Sequence, residues 1–476
     1  MLGIVVSRAD SASVHIGEHL RELADWERHE DDSRSDAAGG GVVYRTGGVC
    51  LREFEALHLD IERPAAAFDD PALVVFASRH SGETGPLLTA HHTGNVGPAD
   101  HGGRPNDLAR ACPNAHARVL DALATHAPDG YEVGMECTHH GPSVVGAPSM
   151  FVEVGSSEPE WADPAAARAV AQAILDLRGV DPDQPVDDAS ADDATDENRT
   201  RRHLVGLGGG HYAPRFERVA RETDWAVGHI LADWGFGALD GASKDETDAE
   251  TDRRAVLDQA FGQSRAAYAL VDGDRPALRS AVADLGYRAV GETWVREADG
   301  VDLDFLRAAE REIATVGEGL RFGDPATGEQ PATPGQAGEQ NGWTATELPR
   351  ELLDEAFGID RERTRGAVAE TALAFETGEG GTRPTGTVML ADAGDRERIL
   401  DALVGVLGDR YDSLDRDDGV LLARETAFDP DLARTLGVPE GPAFGRLSGG
   451  QAVEVDGETI PPEAVTRERE REFQLS

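Results

Sequence analysis

Along the first 300 or so residues, short apolar runs alternate with stretches of helical period. LGIVVS, residues 2–7, is uninterrupted and rich in branched side chains, as in a strand buried on both faces. Asp10 or Ser11 then caps a helix to about Leu23. VVYRTG and VCLREFEALHLDI alternate like strands. ALVVFASRH, residues 72–80, is a second buried strand, and PLLTAHHTGN is a strand running into histidines. Asn106 or Asp107 can start a short helix, and Pro113 fits the first turn of another. YEVGM, SMFVEVGS, HLVGLG and WAVGHIL are further strands, and YRAVGETWVRE reads as a last one. Helices are expected to start near Pro164, Pro214, Arg254 and Pro276. This alternation predicts an α/β fold, a mixed and mostly parallel sheet with helices on both faces.

Acidic and polar stretches interrupt the pattern. Residues 30–41, 181–200 and 240–253 read as solvated insertions, the second of them disordered by composition. Residues 323–342, GDPATGEQPATPGQAGEQNG, read as a linker. The expected organisation is a catalytic domain over 1–322, a flexible linker over 323–342 and a small α+β extension over 343–476.

Charge changes the picture of the solvent more than that of the fold. The 476 residues carry 89 acidic against 45 basic side chains, a formal charge of −44, and Lys244 is the single lysine. Such an acidic, lysine-poor chain resembles haloarchaeal cytosolic proteins. A dense carboxylate surface keeps a protein soluble where salt screens charge within about 3 Å at 1 M. The three cysteines, Cys50, Cys112 and Cys137, are widely spaced and form neither a disulfide framework nor a zinc-finger pattern. No signal peptide is evident, and no run approaches the length of a membrane span.

Three stretches concentrate the chemistry: TAHHTGN (89–95), ECTHHGP (136–142) and LGGGHYAPR (207–215). Each is a strand followed by a histidine-bearing turn. In open α/β sheets ligands gather at the carboxyl ends of strands, so the three turns are expected to share one edge and one site. His139 and His140 beside Glu136 can work as general bases or hold a metal. The plain alternative is that each pair only caps a strand. Gly208, Gly209 and Gly210 before His211 can present backbone donors to an oxyanion or a phosphate. No GxSxG occurs, and GLGGGH lacks the context of a dinucleotide site.

Together TAHHTGN, HGGRP…ARACP, ECTHHGP, MFVEVGS, LGGGHYAPRF and ETWVRE resemble the archaeal and plant type of D-aminoacyl-tRNA deacylase, also called D-tyrosyl-tRNA deacylase, from residue 1 to about 316. The acidic insertions and the extension depart from the shorter family members, and the resemblance is to a haloarchaeal form with a C-terminal extension. LGVPEGPAFGRLSGG, residues 436–450, loosely resembles a passage of tRNA 3′-end processing endonucleases, whose metal-binding HxHxDH is missing.

The resemblance implies a fold similar to peptidyl-tRNA hydrolases and nucleoside phosphorylases, an association with zinc, and hydrolysis of the ester joining a D-amino acid to tRNA. It places Glu136, Thr138, His139, His140 and His211 as catalytic residues. Its motifs also fall on His91 and Tyr212. From the residues themselves, Gly208, Gly209, Gly210, Arg215, Asn95 and Arg104 are expected with Tyr212 at the substrate, and His91, Glu136, His139 and His140 are the candidate metal ligands. Arg79, Arg104 and Arg215 are candidates for RNA phosphates, while His80 and His101 stay undecided. Cys137 stands where the family usually has a small residue. The expected partner is D-aminoacyl-tRNA, with no DNA and no membrane, and the chain acts as a cytoplasmic monomer. Alternatives are a nucleoside phosphorylase-like or peptidyl-tRNA hydrolase-like enzyme, or a non-catalytic protein that binds tRNA or metal.

Overall fold

The computed structural model describes residues 1–185, 201–239, 246–327 and 342–475. They form two compact units that divide between Asp299 and Gly300.

The strands of the first unit are β1 (Leu2–Ser7), β2 (Glu27–Asp31), β3 (Gly41–Thr46), β4 (Val49–Phe54), β5 (Leu73–Arg79) and β6 (Leu87–His92). They continue with β7 (Glu132–Met135), β8 (Ser149–Gly155), β9 (His203–Leu207), β10 (Ala226–Leu231), β11 (Tyr268–Val271) and β12 (Arg288–Val290). Its helices are α1 (Ser11–Leu23), α2 (Pro113–His126), α3 (Glu158–Trp161), α4 (Pro164–Asp176) and α5 (Pro214–Glu222). After these come α6 (Asp233–Leu239), α7 (Glu246–Ser264), α8 (Pro276–Asp284) and α9 (Glu292–Glu297). Asp10 caps α1 by accepting from the Ala12 amide at 3.0 Å, and Pro113, Pro164, Pro214 and Pro276 each open a helix, where a missing N–H costs nothing.

The larger sheet has the order β2-β3-β4-β1-β5-β8-β6-β7. Its centre, β4-β1-β5-β8, is parallel, but β6 runs antiparallel to β8 and carries β7 parallel to itself. A second sheet, β10-β9-β11-β12, is wholly parallel. The fold is thus mixed α/β and mostly parallel, as expected.

Helices on both faces hold only for the smaller sheet. There α7 and α8 join Val205, Leu207, Ala269 and Val271 in one core, and Phe216 of α5 lies under Gly206 on the opposite face. On the larger sheet α1, α2 and α4 share one face. The other face, with Val5, Phe76 and Phe151, is covered by 3-10 turns at His58–Asp60 and Pro64–Ala67 and by the segment around Val145 and Ala147.

Several expectations give way to tertiary context. Residues 106–112 form a turn and an irregular segment rather than a helix, because Asn106 takes a left-handed φ of 53° and accepts from the Gly97 amide at 2.8 Å. ETWVRE is α9, not strand: after Gly291 the helical spacing lets Trp294 pack its ring 4.9 Å from Tyr268. Of the insertions, 30–41 holds the end of β2, a turn over residues 32–40 and the start of β3, and 186–200 and 240–245 lie outside the described residues. Residues 246–253 already belong to α7.

The second unit is described by itself. Leu320–Phe322 pairs antiparallel with Ala374–Gly378, so the chain from 300 onward belongs with this unit, ahead of the expected boundary at 322. Linker residues 328–341 lie outside the described residues. Two antiparallel sheets and the helices Arg350–Ile359 and Ala393–Leu407 enclose a core around Leu352, Phe375, Leu403 and Phe473, an α+β arrangement. No helix among the described residues is long and apolar enough to cross a membrane.

Candidate active site

The site starts from the register of one antiparallel strand pair. Thr89 of β6 faces Glu153 of β8, and His91 faces Phe151. Side chains two apart on a strand share a face, so these four stand together on the sheet face that carries no helix. Phe151 stacks on Phe76 at 4.6 Å and on His91 at 5.2 Å, which fixes the His91 ring from below.

Glu136 follows β7 directly, and its amide bonds to the Ala90 carbonyl at 3.3 Å. The segment from Met135 to Thr138 then runs between the two sheets. Cys137 N–H donates to His211 O at 2.9 Å, Ala213 N–H to Met135 O at 2.9 Å, and Thr138 N–H to Ile230 O at 3.0 Å. This stitching carries the glycine turn after β9 over the face of the larger sheet. Gly208 and Gly209 take positive φ, 102° and 83°, which suits glycine and lets the chain double back before His211.

Four histidines then surround one buried carboxylate. Glu136 Oε1 accepts from Thr89 Oγ1 at 2.5 Å and lies 3.2 Å from His80 Nδ1. Its Oε2 lies 2.7 Å from His211 Nε2, out of line for a well-formed hydrogen bond, and 3.8 Å from His139 Nε2. Glu153 stands behind them, 3.8 Å from both His80 Nδ1 and His91 Nε2. Burial alone would raise the Glu136 carboxyl, but His211 and His80 hold it well below the usual range, so it is a carboxylate. Burial raises Glu153 instead. His80 is pushed down by burial and more strongly up by Glu136 and Glu153, so it is raised overall. His139 falls to about 3, chiefly through burial, and His140 falls well below its ordinary value for the same reason.

His91, His139 and His140 share one further feature. Each Nδ1 lies 2.9 Å from a backbone carbonyl, of His92, Cys137 and Gly141 respectively. Donation from Nδ1 leaves each Nε2 as a bare lone pair, the arrangement that orients metal-bound imidazoles. One ring nitrogen from each lies within 4.8 Å of those of the other two, and buried His91 Nε2 has no hydrogen-bond partner among the described residues. This donor set fits a zinc-type ion. A second group, His80, Glu136 and His211, lies beside it.

The cavity in front holds about 400 Å³ and runs from His139, His140 and His211 to Leu57, Leu59 and Asp10. Of the sequence candidates, Glu136, His91, His139, His140 and His211 come together here. Tyr212 joins them through its hydroxyl, 2.9 Å from His80 Nε2. The three turns share a site, but not as neighbouring strand ends of one sheet: β6 and β7 oppose the direction of β8, and β9 belongs to the other sheet.

Other candidates stand aside. Thr138 turns its hydroxyl to His229 Nδ1 at 3.0 Å and does not line the cavity. Asn95 is buried and spends its amide on the carbonyls of Gly102 and Arg104, bracing that loop. Arg104 is exposed on the same loop. Arg215 is engaged by Asp272 at 2.6 Å and Glu292 at 3.2 Å. Cys137 is buried, and burial together with Glu136 pushes its thiol up to about 12, so it stays protonated. His80, Glu153 and Thr89 complete the site without having been assigned to it. A lone carboxylate inside the apolar strand SMFVEVG was the signal for Glu153, since unpaired charge is rarely buried.

Fold and site together define an α/β protein with a histidine–carboxylate centre suited to hydrolysis. A family model for D-aminoacyl-tRNA deacylase matches residues 67–290. A D-aminoacyl-tRNA deacylase of Haloarcula marismortui is 56% identical over 475 residues, covering 100% of both chains. One of Halorubrum lacusprofundi is 52% identical over 100% of this chain and 97% of its own, and one of Methanoregula boonei is 32% identical over 98% and 96%. The chain belongs to the D-aminoacyl-tRNA deacylase family. A solved structure, a conserved protein of unknown function called AF0625, matches with a TM-score of 0.51 and 29% identity, over 63% of this chain and 98% of that one.

Proposed function

We propose that the cavity hydrolyses the ester of D-aminoacyl-tRNA, releasing a D-amino acid and free tRNA, with zinc held by His91, His139 and His140. The observation that carries the metal assignment is the set of three imidazoles tied through Nδ1 to backbone carbonyls. When bound, zinc polarises an ester carbonyl and brings the pKa of a coordinated water to roughly 7.

The chain's own groups do the rest. Glu136 is ionised, enclosed, and within reach of two further histidines. His211 stands half-buried at the cavity with its Nε2 2.7 Å from Glu136 Oε2, so this pair is placed to take a proton from the attacking water and return it to the leaving ribose oxygen. The C–O bond to water forms as the ester C–O bond breaks. His80 holds the Tyr212 hydroxyl over the cavity. Leu57 and Leu59 line the end of the cavity away from the imidazoles, where the amino-acid side chain lies.

Kinship with peptidyl-tRNA hydrolase and nucleoside phosphorylase folds is part of this reading, supported by the mixed eight-stranded sheet. Family membership does not favour either as the activity. In this reading the chain works as a cytoplasmic monomer on tRNA rather than DNA. The test is hydrolysis of D- and L-tyrosyl-tRNA in molar KCl. D-ester turnover that a chelator abolishes and zinc restores is expected, whereas full turnover in metal-free protein would remove the metal from the reading.

A further inference from the structure

The chain has six tryptophans, six tyrosines and fourteen phenylalanines, and all but two are buried or half-buried. The two exposed ones are Tyr212, 37% exposed, and Trp234, 46% exposed. They lie in the segments that follow two adjacent parallel strands, β9 and β10. Tyr212 closes the glycine turn after β9, and Trp234 opens α6 directly after β10. Tyr212 is already engaged by His80. Trp234 has no ring or cation partner among the described residues.

The backbone under Trp234 is held in place. Asp233 N–H donates to Gly209 O at 3.0 Å, and Asp233 Oδ2 takes the Arg275 guanidinium at 2.6 Å. Arg275 in turn donates to Asp272 O at 2.9 Å. The loops after β9, β10 and β11 are thereby tied into one ledge. In the order β10-β9-β11-β12, the chain steps from β9 to one side and then crosses to the other, so strand order reverses between β9 and β11. The crevice outside the carboxyl ends at such a reversal is where parallel sheets take ligands.

Charge decides what kind of contact this ledge must make. A chain of −44 gains little from long-range attraction to a polyanion, and phosphate contacts lose strength steeply with salt. Stacking of bases on aromatic faces does not need opposite charge and is worth about 1–3 kcal/mol per base.

We infer that Trp234 is a stacking platform for a base of the single-stranded 3′ end of tRNA, on the ledge that the Asp233–Gly209 hydrogen bond ties to the turn leading to His211. This rests on the reading of the chain as an enzyme acting on tRNA esters. The experiment is calorimetric binding of uncharged CCA trinucleotide to the full chain in 2 M KCl, alongside deacylation of D-tyrosyl-tRNA. Trp234→Leu, which keeps an apolar side chain but loses the π face, should weaken CCA binding about tenfold and raise KM with kcat unchanged. Trp234→Phe should stay within about threefold of wild type. Equal CCA binding by wild type and Trp234→Leu, or no CCA binding by wild type, would overturn the inference. Trp234-dependent CCA binding without any deacylation would overturn the deacylase reading and leave the platform standing.

Discussion

His211 Nε2 lies 2.7 Å from Glu136 Oε2, a contact between a turn of one sheet and the end of a strand of the other. The two residues are 75 positions apart and meet because Cys137 N–H bonds the His211 carbonyl. Glu136→Gln keeps an oxygen to accept from Thr89 but removes the charge that both His80 and His211 face. Deacylation should fall by about 10²–10⁴-fold, the range for a lost acid–base group, with the circular dichroism spectrum unchanged. A variant within threefold of wild type would show that Glu136 only braces the turn.

Phe151 is the packing counterpart of that centre, stacked between Phe76 and His91. Phe151→Ala should cost about 3–5 kcal/mol by leaving a cavity under the imidazoles. Denaturant unfolding measures this, and a loss under about 1 kcal/mol would contradict the packing role.

Buried neutral histidines set the acid limit of the fold. Burial pushes His116, His203 and His229 down to about 4, and His58 to about 3. Their folded values lie below the unfolded value near 6.5, so the unfolded chain binds more protons in that window. Stability is whole above about pH 6.5 and drains as pH falls, by about 1.4 kcal/mol per pH unit for each histidine, until the folded groups titrate near 4. The melting temperature in molar KCl should drop steeply between pH 6.5 and 5. A flat profile there would mean that these rings charge freely in the folded state.

With a net charge of −44, self-repulsion opposes the compact state in dilute buffer. Raising KCl from 0.1 to 1 M shortens the screening length from about 10 to about 3 Å. The melting temperature should rise across that range. If it does not move, paired charges rather than screened ones balance the surface.

Every group of the candidate site precedes Asp299, where the first unit ends. A chain ending at Asp299 should keep D-tyrosyl-tRNA hydrolysis within about tenfold. One ending at residue 322 carries Leu320–Phe322 without its partner strand Ala374–Gly378 and should aggregate more readily. A folded, inactive 1–299 chain would assign the second unit a part in the reaction.

Local chemistry was legible in the sequence. Uninterrupted apolar residues announced β1, Asp10 announced the start of α1, and strand-then-histidine patterns marked the three turns that meet in the site. Each depends on neighbours a few residues away. What the turns make together was decided by strand order and register. The reversal of β6 against β8 set Thr89 opposite Glu153 and His91 opposite Phe151, and so moved the site from a shared strand edge onto a sheet face. The same long-range pairing drew in His80 and Glu153 and left Thr138 facing His229. A strand's side chains alternate with period two, so its own residues define two faces, and only its partner strands determine which of them meets the other histidines.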